Sequence, residues 1–346
     1  MANIHDVAQL AGVSIKTVSR VINNEPSIKD TTRAKVEAAI KKLDYRPHAG
    51  ARAMRSSKSG IIGMITGVLS AATHDPLESG LSAMHLVRAV QEGCRRDGRI
   101  LMIADSPGSS EEVAELLRKF QSHRVEGVIY AADYHQQVLF PHSENFPLVL
   151  ANCFDAMQTP AVVPDDAQGQ EIATRYLIEQ GHRRLAYIGL PDNMVASRLR
   201  LNGFLKGCRE GGLDDRAIIW RQTKEFEPWT PFADLQAILD ELLTRAEPPT
   251  AFCFGNDLMA MRAMAYFKEK GVRIPDDISV IGYDNDEMLI RHMEHALTTV
   301  TLPYREIGLE AYRCLDGILQ GKHDANADQP RRIESELIRR DTVSHI

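Results

Sequence analysis

The 346-residue chain has only five cysteines, at 94, 153, 208, 253 and 314, and no CxxC pair among them. Odd in number and scattered, they suit neither a disulfide framework nor a zinc site, so buried reduced thiols and no metal are expected. No apolar run approaches the roughly 20 residues that a membrane helix needs. The first residues, MANIHDVAQLAGVS, lack the basic and apolar regions of a signal peptide, which makes the cytoplasm the expected location. None of GxxxxGKS/T, GxGxxG, GxSxG or HExxH occurs, and the twelve histidines are scattered. Without a phosphate-cradling loop, a nucleophile elbow or a metalloprotease helix, neither enzymatic activity nor a cofactor is expected. No low-complexity tract interrupts a composition that is 44% hydrophobic and 25% charged. Such a chain is globular and long enough for a small domain plus a larger core.

The net charge of −6 conceals an asymmetry. Residues 1–58 hold eleven Lys/Arg against five Asp/Glu, a surplus of +6, and the remainder carries −12. A basic head on an acidic body fits nucleic-acid binding confined to the head. Within that head, Asn3 can cap a helix over 4–10, with Asp6 three residues on to complete a capping box. Gly12 can supply the positive φ of a tight turn. Ser14 can cap a second helix over 15–23, which ends before Pro26 because a proline disfavours helix in the residue before it. A third helix is expected over 30–43. Val7, Ala8, Leu10, Val13, Val18, Val21, Val36, Ala39, Ile40 and Leu43 recur at helical spacing and form one candidate core. Two helices joined by a short Gly-containing turn make the supersecondary unit that reads DNA.

Residues 45–59, YRPHAGARAMRSSKS, are basic and have no apolar stripe, as a linker would. From Ile61 onward short apolar runs alternate with amphipathic stretches. Strands are expected at 61–66, 100–104, 125–131 and 148–151, then at 185–189, 218–221, 251–254 and 278–283. Helices such as 171–180, 199–210, 235–244 and 258–270 separate them. This is the βαβ alternation of parallel, doubly wound sheets, and two series of similar length predict two lobes. Ligands of such sheets bind beyond the carboxyl ends of the strands.

The segment IHDVAQLAGVSIKTVSRVIN (4–23) closely resembles the helix-turn-helix of the lac repressor (LacI/GalR) family. The similarity continues through Tyr45-Arg46-Pro47 and, in the core, through YLIEQGHRRLAYIG, RLRLNGF, FGNDLMAMRAM, PDDISVIGYDND and LTTVTLPYREIGLEA. It implies an α/β protein with an all-α helix-turn-helix head and a two-lobed, periplasmic-binding-protein-like core. The division implied is 1–46 as DNA-binding domain, 47–60 as hinge or linker helix, and 61–346 as effector-binding and dimerisation core. The lobes would comprise about 61–160 plus 292–322, and 161–291 plus 323–346. The function implied is a DNA-binding transcription regulator, most simply a repressor, that acts as a homodimer on near-palindromic operator DNA.

By the same resemblance Ile15, Lys16 and Arg20 occupy base-reading positions. Lysine and arginine can donate to guanine O6 and N7, and Ile15 can meet a thymine methyl. Ser14, Thr17 and Ser19 would meet phosphates, which position without specifying. Met54 stands where the family inserts an apolar side chain into the minor groove, with His48 and Gly50 as departures from the usual hinge. Asn152, Arg200, Asn256 and Asp284 fall where family members contact their effector, and Phe226 or Trp229 could stack on it. His74 and Asp75, in a long connection over 70–82, could join the ligand shell. This lining has many donors and acceptors but little net charge, which suits a sugar or sugar derivative. A nucleobase or other metabolite is the alternative effector. A cytoplasmic sugar-binding protein or a sugar-acting enzyme is the alternative function.

Overall fold

The computed structural model describes residues 2–22, 25, 27–45, 59–67, 80–106, 109–143, 145–224, 233–322 and 329–346. The chain divides into two compact units, Met1–Gly60 and Ile61–Ile346.

In the first unit, α1 (Ile4–Ala11), α2 (Ile15–Ile22) and α3 (Asp30–Lys42) surround a small core of Val7, Ala8, Val18, Val21, Val36, Ala39 and Tyr45. The capping box forms as the sequence predicts. The Asn3 side chain accepts from the amides of His5 and Asp6, and the Asp6 carboxylate accepts from the Asn3 amide at 2.8 Å. Gly12 closes α1 at φ 65°, a left-handed conformation in which a side chain would be strained. The turn that this makes possible lets α2 leave at an angle. Ser14 Oγ accepts from the Thr17 amide at 3.1 Å and so caps α2. Leu10 departs from expectation: it is exposed and takes no part in the core.

The second unit contains two six-stranded sheets. The first has the order β11-β5-β4-β3-β1-β2 and is parallel throughout. Its strands are β1 (Ile61–Thr66), β2 (Ile100–Asp105), β3 (Gly127–Gln137), β4 (Leu148–Phe154), β5 (Ala161–Pro164) and β11 (Arg331–Ile333). The second has the order β12-β10-β9-β8-β6-β7, with only β12 antiparallel. It is built from β6 (Leu185–Gly189), β7 (Ile218–Gln222), β8 (Ala251–Phe254), β9 (Ser279–Asp284), β10 (Thr298–Thr301) and β12 (Leu337–Ile338). Helices α4 (Gly80–Arg96) and α5 (Ser110–Ser122) follow β1 and β2. Helices α6 (Asp166–Glu179), α7 (Val195–Glu210), α8 (Ala233–Leu243), α9 (Asp257–Glu269) and the single turn α10 (Glu287–Ile290) accompany the second sheet. Helix α11 (Tyr304–Leu319) returns to the first, where Ile307, Ala311, Tyr312 and Leu315 pack with Leu86 and Val90 of α4 over β1, β3 and β4.

Both sheets wind in the two directions required for a crevice at their carboxyl ends. Close helix packing in the second lobe depends on Gly203 of α7, where a Cβ would lie 2.1 Å from the Ala167 carbonyl oxygen of α6.

The lobe boundaries differ from those expected. Residues 161–164 form β5 and belong to the first lobe, residues 298–301 form β10 in the second, and β11 at 331–333 returns to the first. These strands are three or four residues long. Their sheet is chosen by distant partners, which local apolar periodicity cannot reveal. Among the described residues the chain thus crosses between lobes three times, after Pro164, between Thr301 and Tyr304, and between Ile333 and Leu337.

Candidate functional site

Helix α2 turns Val18 and Val21 into the head's core and leaves Ile15 and Lys16 exposed. Thr17 is half-buried, its hydroxyl 2.9 Å from Ser14 Oγ. Arg20 is held in place: its Nε donates to Glu25 Oε2 and its Nη2 to Ser27 Oγ, both at 2.6 Å. Ser19 lies on the packed side at 9% exposure. Three positions apart on a helix, Ser19 and Lys16 are neighbours, so Ser19 borders the exposed face. Met54, with the whole segment 46–58, lies outside the described residues.

In the core, the polar centre gathers on Asp166, the first residue of α6, placed where the chain makes its first crossing between lobes. Asp166 is fully buried and has two cationic or dipolar partners. Arg200 Nε donates to its Oδ1 at 2.7 Å, and His135 Nδ1, from β3 of the first lobe, donates to its Oδ2 at 2.6 Å. Burial alone would raise the Asp166 carboxyl, but attraction to Arg200 and the bonds from His135 and Arg200 outweigh it and hold the group below the usual carboxylate range. Arg200 sits in the second turn of α7, not at the helix start expected, because the helix begins five residues earlier, at Val195. Its guanidinium also donates to the Gly255 carbonyl at 2.5 Å and lies 3.7 Å above the Tyr283 ring, with Nη1 3.6 Å from Asp284 Oδ1.

Asp284 ends β9 with φ 115°, a strained value for a residue with a side chain, and its carboxylate faces the same centre with 26% of its surface exposed. Burial and the neighbouring Asp286 and Asp166, set against Arg200, push its carboxyl up to about 7. Next to it Asp257 is fully buried, accepting from the Thr299 hydroxyl at 2.5 Å and the Asp286 amide at 2.8 Å. Burial and repulsion from Asp284 raise its carboxyl well above the usual range. A carboxyl whose folded pKa exceeds its unfolded value is neutral in both states at low pH. Its penalty appears as pH rises past about 4 and is complete above about 7. Asp284→Asn should therefore raise the melting temperature at pH 8 and leave it nearly unchanged at pH 4. Thermal unfolding of wild type and variant across this range checks the sign, and a loss of stability at pH 8 would refute it.

Asn152 does not end its strand as expected, since β4 runs on to Phe154. It adopts φ 58° within the strand, which turns its side chain aside. Its amide donates to the Ala132 carbonyl at 3.1 Å, and its Oδ1 is buried without a partner. A buried, unsatisfied amide oxygen is costly and marks a place where a donor is wanted. Asn256 caps α9 by accepting from the Met259 amide at 2.9 Å, which engages its side-chain oxygen. Tyr304, the first residue of α11, reaches the Asp133 carbonyl with its hydroxyl at 3.5 Å. Phe226, Trp229, His74 and Asp75 lie outside the described residues.

Sequence reading brought out Arg200 and Asp284 but missed Asp166 and Tyr283, which contact Arg200, and His135 and Asp257, which complete the buried centre. The one available signal was the pair Asp165-Asp166 opening a helix after an apolar run, a helix-start pattern that names a cap but not a charge partner 34 residues away. Cys94, Cys153, Cys208 and Cys253 are buried thiols, and Cys314 is half-buried. Among the described residues no cluster of three metal-ligating side chains forms, and no helix is long and apolar enough to cross a membrane.

Residues 3–48 match the family described as bacterial regulatory proteins of the lacI family, and residues 174–343 match the periplasmic binding protein-like domain. Over its whole length the chain is similar to the HTH-type transcriptional repressor PurR of Vibrio atlanticus (strain LGP32), with 32% identity over 354 residues and 99% of each chain covered. Among solved structures, the lac repressor dimer bound to operator and the anti-inducer ONPF aligns with a TM-score of 0.78 at 26% identity, over 99% of both chains. The complex of the transcriptional regulator CelR with cellobiose aligns with a TM-score of 0.60 at 26% identity, over 99% of this chain and 100% of that one. The chain belongs to the lacI family of bacterial regulatory proteins. It is a DNA-binding transcriptional repressor with a helix-turn-helix head and two parallel-sheet lobes, and the enzymatic alternative is set aside.

Proposed function

We propose that the chain acts in the cytoplasm as a homodimer on near-palindromic operator DNA, and that a small uncharged polar molecule in the cleft sets its affinity. The observation that carries this reading is the buried guanidinium of Arg200, shared between Asp166, Asp284 and the Tyr283 ring at the strand ends of the second lobe. Beside the charge-neutralised arginine, Asp284 keeps an exposed edge, and across the cleft Asn152 holds an unpartnered acceptor. A ligand with vicinal hydroxyls can donate to both and accept from the guanidinium, so a sugar or sugar derivative fits this lining best. CelR, bound to cellobiose, is a relative in fold that holds such a molecule. A nucleobase is the second reading. It is favoured by Asp284, whose carboxyl at about 7 can meet a ring nitrogen as donor or acceptor, and by whole-chain relatives named PurR rather than after a sugar.

Dimerisation has a physical counterpart in the edge strands. Ile100 on β2 is 65% exposed and Trp220 on β7 is 44% exposed, with Ile103 of β2 beside the first. Among the described residues β2 and β7 are the outer strands of their sheets, and apolar edges of this kind are what a second copy would cover.

Calorimetric titration with panels of sugars, sugar phosphates and nucleobases should find one class that binds. Arg200→Ala and Asp284→Ala should each remove that binding and the operator response while operator affinity without ligand persists. Full-strength binding in both variants would move the site elsewhere. A stable monomer by sedimentation at micromolar concentration, free and on DNA, would defeat the dimer.

A further inference from the structure

Arg20 lies in the last turn of α2, on the face that, in the reading above, meets base edges, and Glu25 and Ser27 lie against it. The Glu25 amide donates to the Arg20 carbonyl at 3.0 Å, and the Glu25 carbonyl accepts from Arg33 Nη2 of α3 at 3.0 Å. With its backbone fixed from both helices, Glu25 points its carboxylate at Arg20 Nε, and Ser27 takes Nη2. These contacts use one edge of the guanidinium and, among the described residues, leave unused its Nη1 amino group and the second hydrogen of Nη2. That remaining pair is a fork matching the O6 and N7 acceptors of guanine.

An arginine left to itself samples many rotamers, and holding it in one costs up to about 2 kcal/mol of side-chain entropy. A carboxylate that already holds it removes most of that cost before DNA arrives. Arg20 and Glu25 are 38% and 44% exposed, and ion pairs this open add little to stability. The pair's effect therefore belongs in base discrimination and not in the melting temperature. The neighbouring base-reading candidate Lys16 is exposed on the same helix, and among the described residues no carboxylate holds it.

We propose that Glu25, helped by Ser27, is a specificity-determining positioning residue of the head, presenting the free edge of Arg20 to a guanine. The proposal rests on Arg20 being a base reader, and the experiment separates the two. An operator is first selected by the full-length wild-type chain from a randomised duplex pool. Affinity is then measured at one fixed salt concentration, on that operator and on variants changed one base pair at a time, for wild type, Glu25→Gln, Arg20→Ala and the double variant. Glutamine leaves both main-chain bonds of residue 25 intact, so the head keeps its fold.

The expected result is a roughly tenfold loss of discrimination in Glu25→Gln at the G·C pair that Arg20→Ala also stops reading, with other positions unchanged. In the Arg20→Ala background, Glu25→Gln should change nothing. Discrimination retained in Glu25→Gln while Arg20→Ala loses it overturns the positioning role alone. So does an equal tightening on operator and random DNA, which would make Glu25 only a negative charge opposed to phosphates. Full discrimination retained in Arg20→Ala removes Arg20 as a base reader, and the role of Glu25 with it.

Discussion

Asp166→Asn should lower the stability of the core by about 3–5 kcal/mol at pH 7, because it leaves Arg200 buried without its main counter-charge. For a core of this size that is a fall in melting temperature on the order of 10 °C. The arginine cannot escape by losing its proton. It is 4% exposed, and its remaining partners are a carbonyl, an aromatic face and the more distant Asp284. The pH dependence gives the loss a signature. A carboxylate held below its unfolded pKa contributes stability that is fully present above about pH 4 and is lost as pH falls through the folded value. The gap between wild type and Asp166→Asn should therefore be widest near neutrality and close in acid, the same pH course as for Asp284→Asn but with the opposite sign. Calorimetric unfolding between pH 3 and pH 8 measures both, and an Asp166→Asn protein that melts with wild type at pH 7 would show that the buried network carries no such load.

Removing residues 1–60 should abolish operator recognition altogether while the remaining chain keeps its fold. The head has its own core, Val7 to Tyr45, and the compact unit beginning at Ile61 draws none of its buried clusters from it. Within the full chain, Lys16→Ala should cost about 1–3 kcal/mol and relax specificity at one or two base pairs. Ser14→Ala should instead weaken binding evenly across sequences, partly through the lost cap on α2. Electrophoretic shifts with operator and random duplex at matched salt distinguish these outcomes. Operator binding by residues 61–346 alone would place the DNA-reading surface in the wrong unit.

What the sequence revealed was mostly local. The Asn3–Asp6 capping box, the turn at Gly12, the Ser14 cap and the first strands of each series depend on residues a few positions apart, and the structure has them where spacing put them. What stayed hidden was set by distance along the chain. Strand β5 reads as a short apolar run and β11 as two arginines and an isoleucine; β5 is a strand because it lies between β4 and β11, and β11 because β5 lies beside it. His135 gave no signal at all, since its partner is 31 residues away and in a different element.

The three crossings also bear on the order in which the protein can assemble during synthesis. Strands β1 to β5 emerge first from the ribosome, yet one face of their sheet is covered by α11 and its edge is closed by β11, both from the last 43 residues of the chain. The second lobe, started later, has all its strands but β12 once Thr301 is made. The half that is begun first is thus finished almost last, and until then the face that α11 will cover stays open to whatever holds nascent chains.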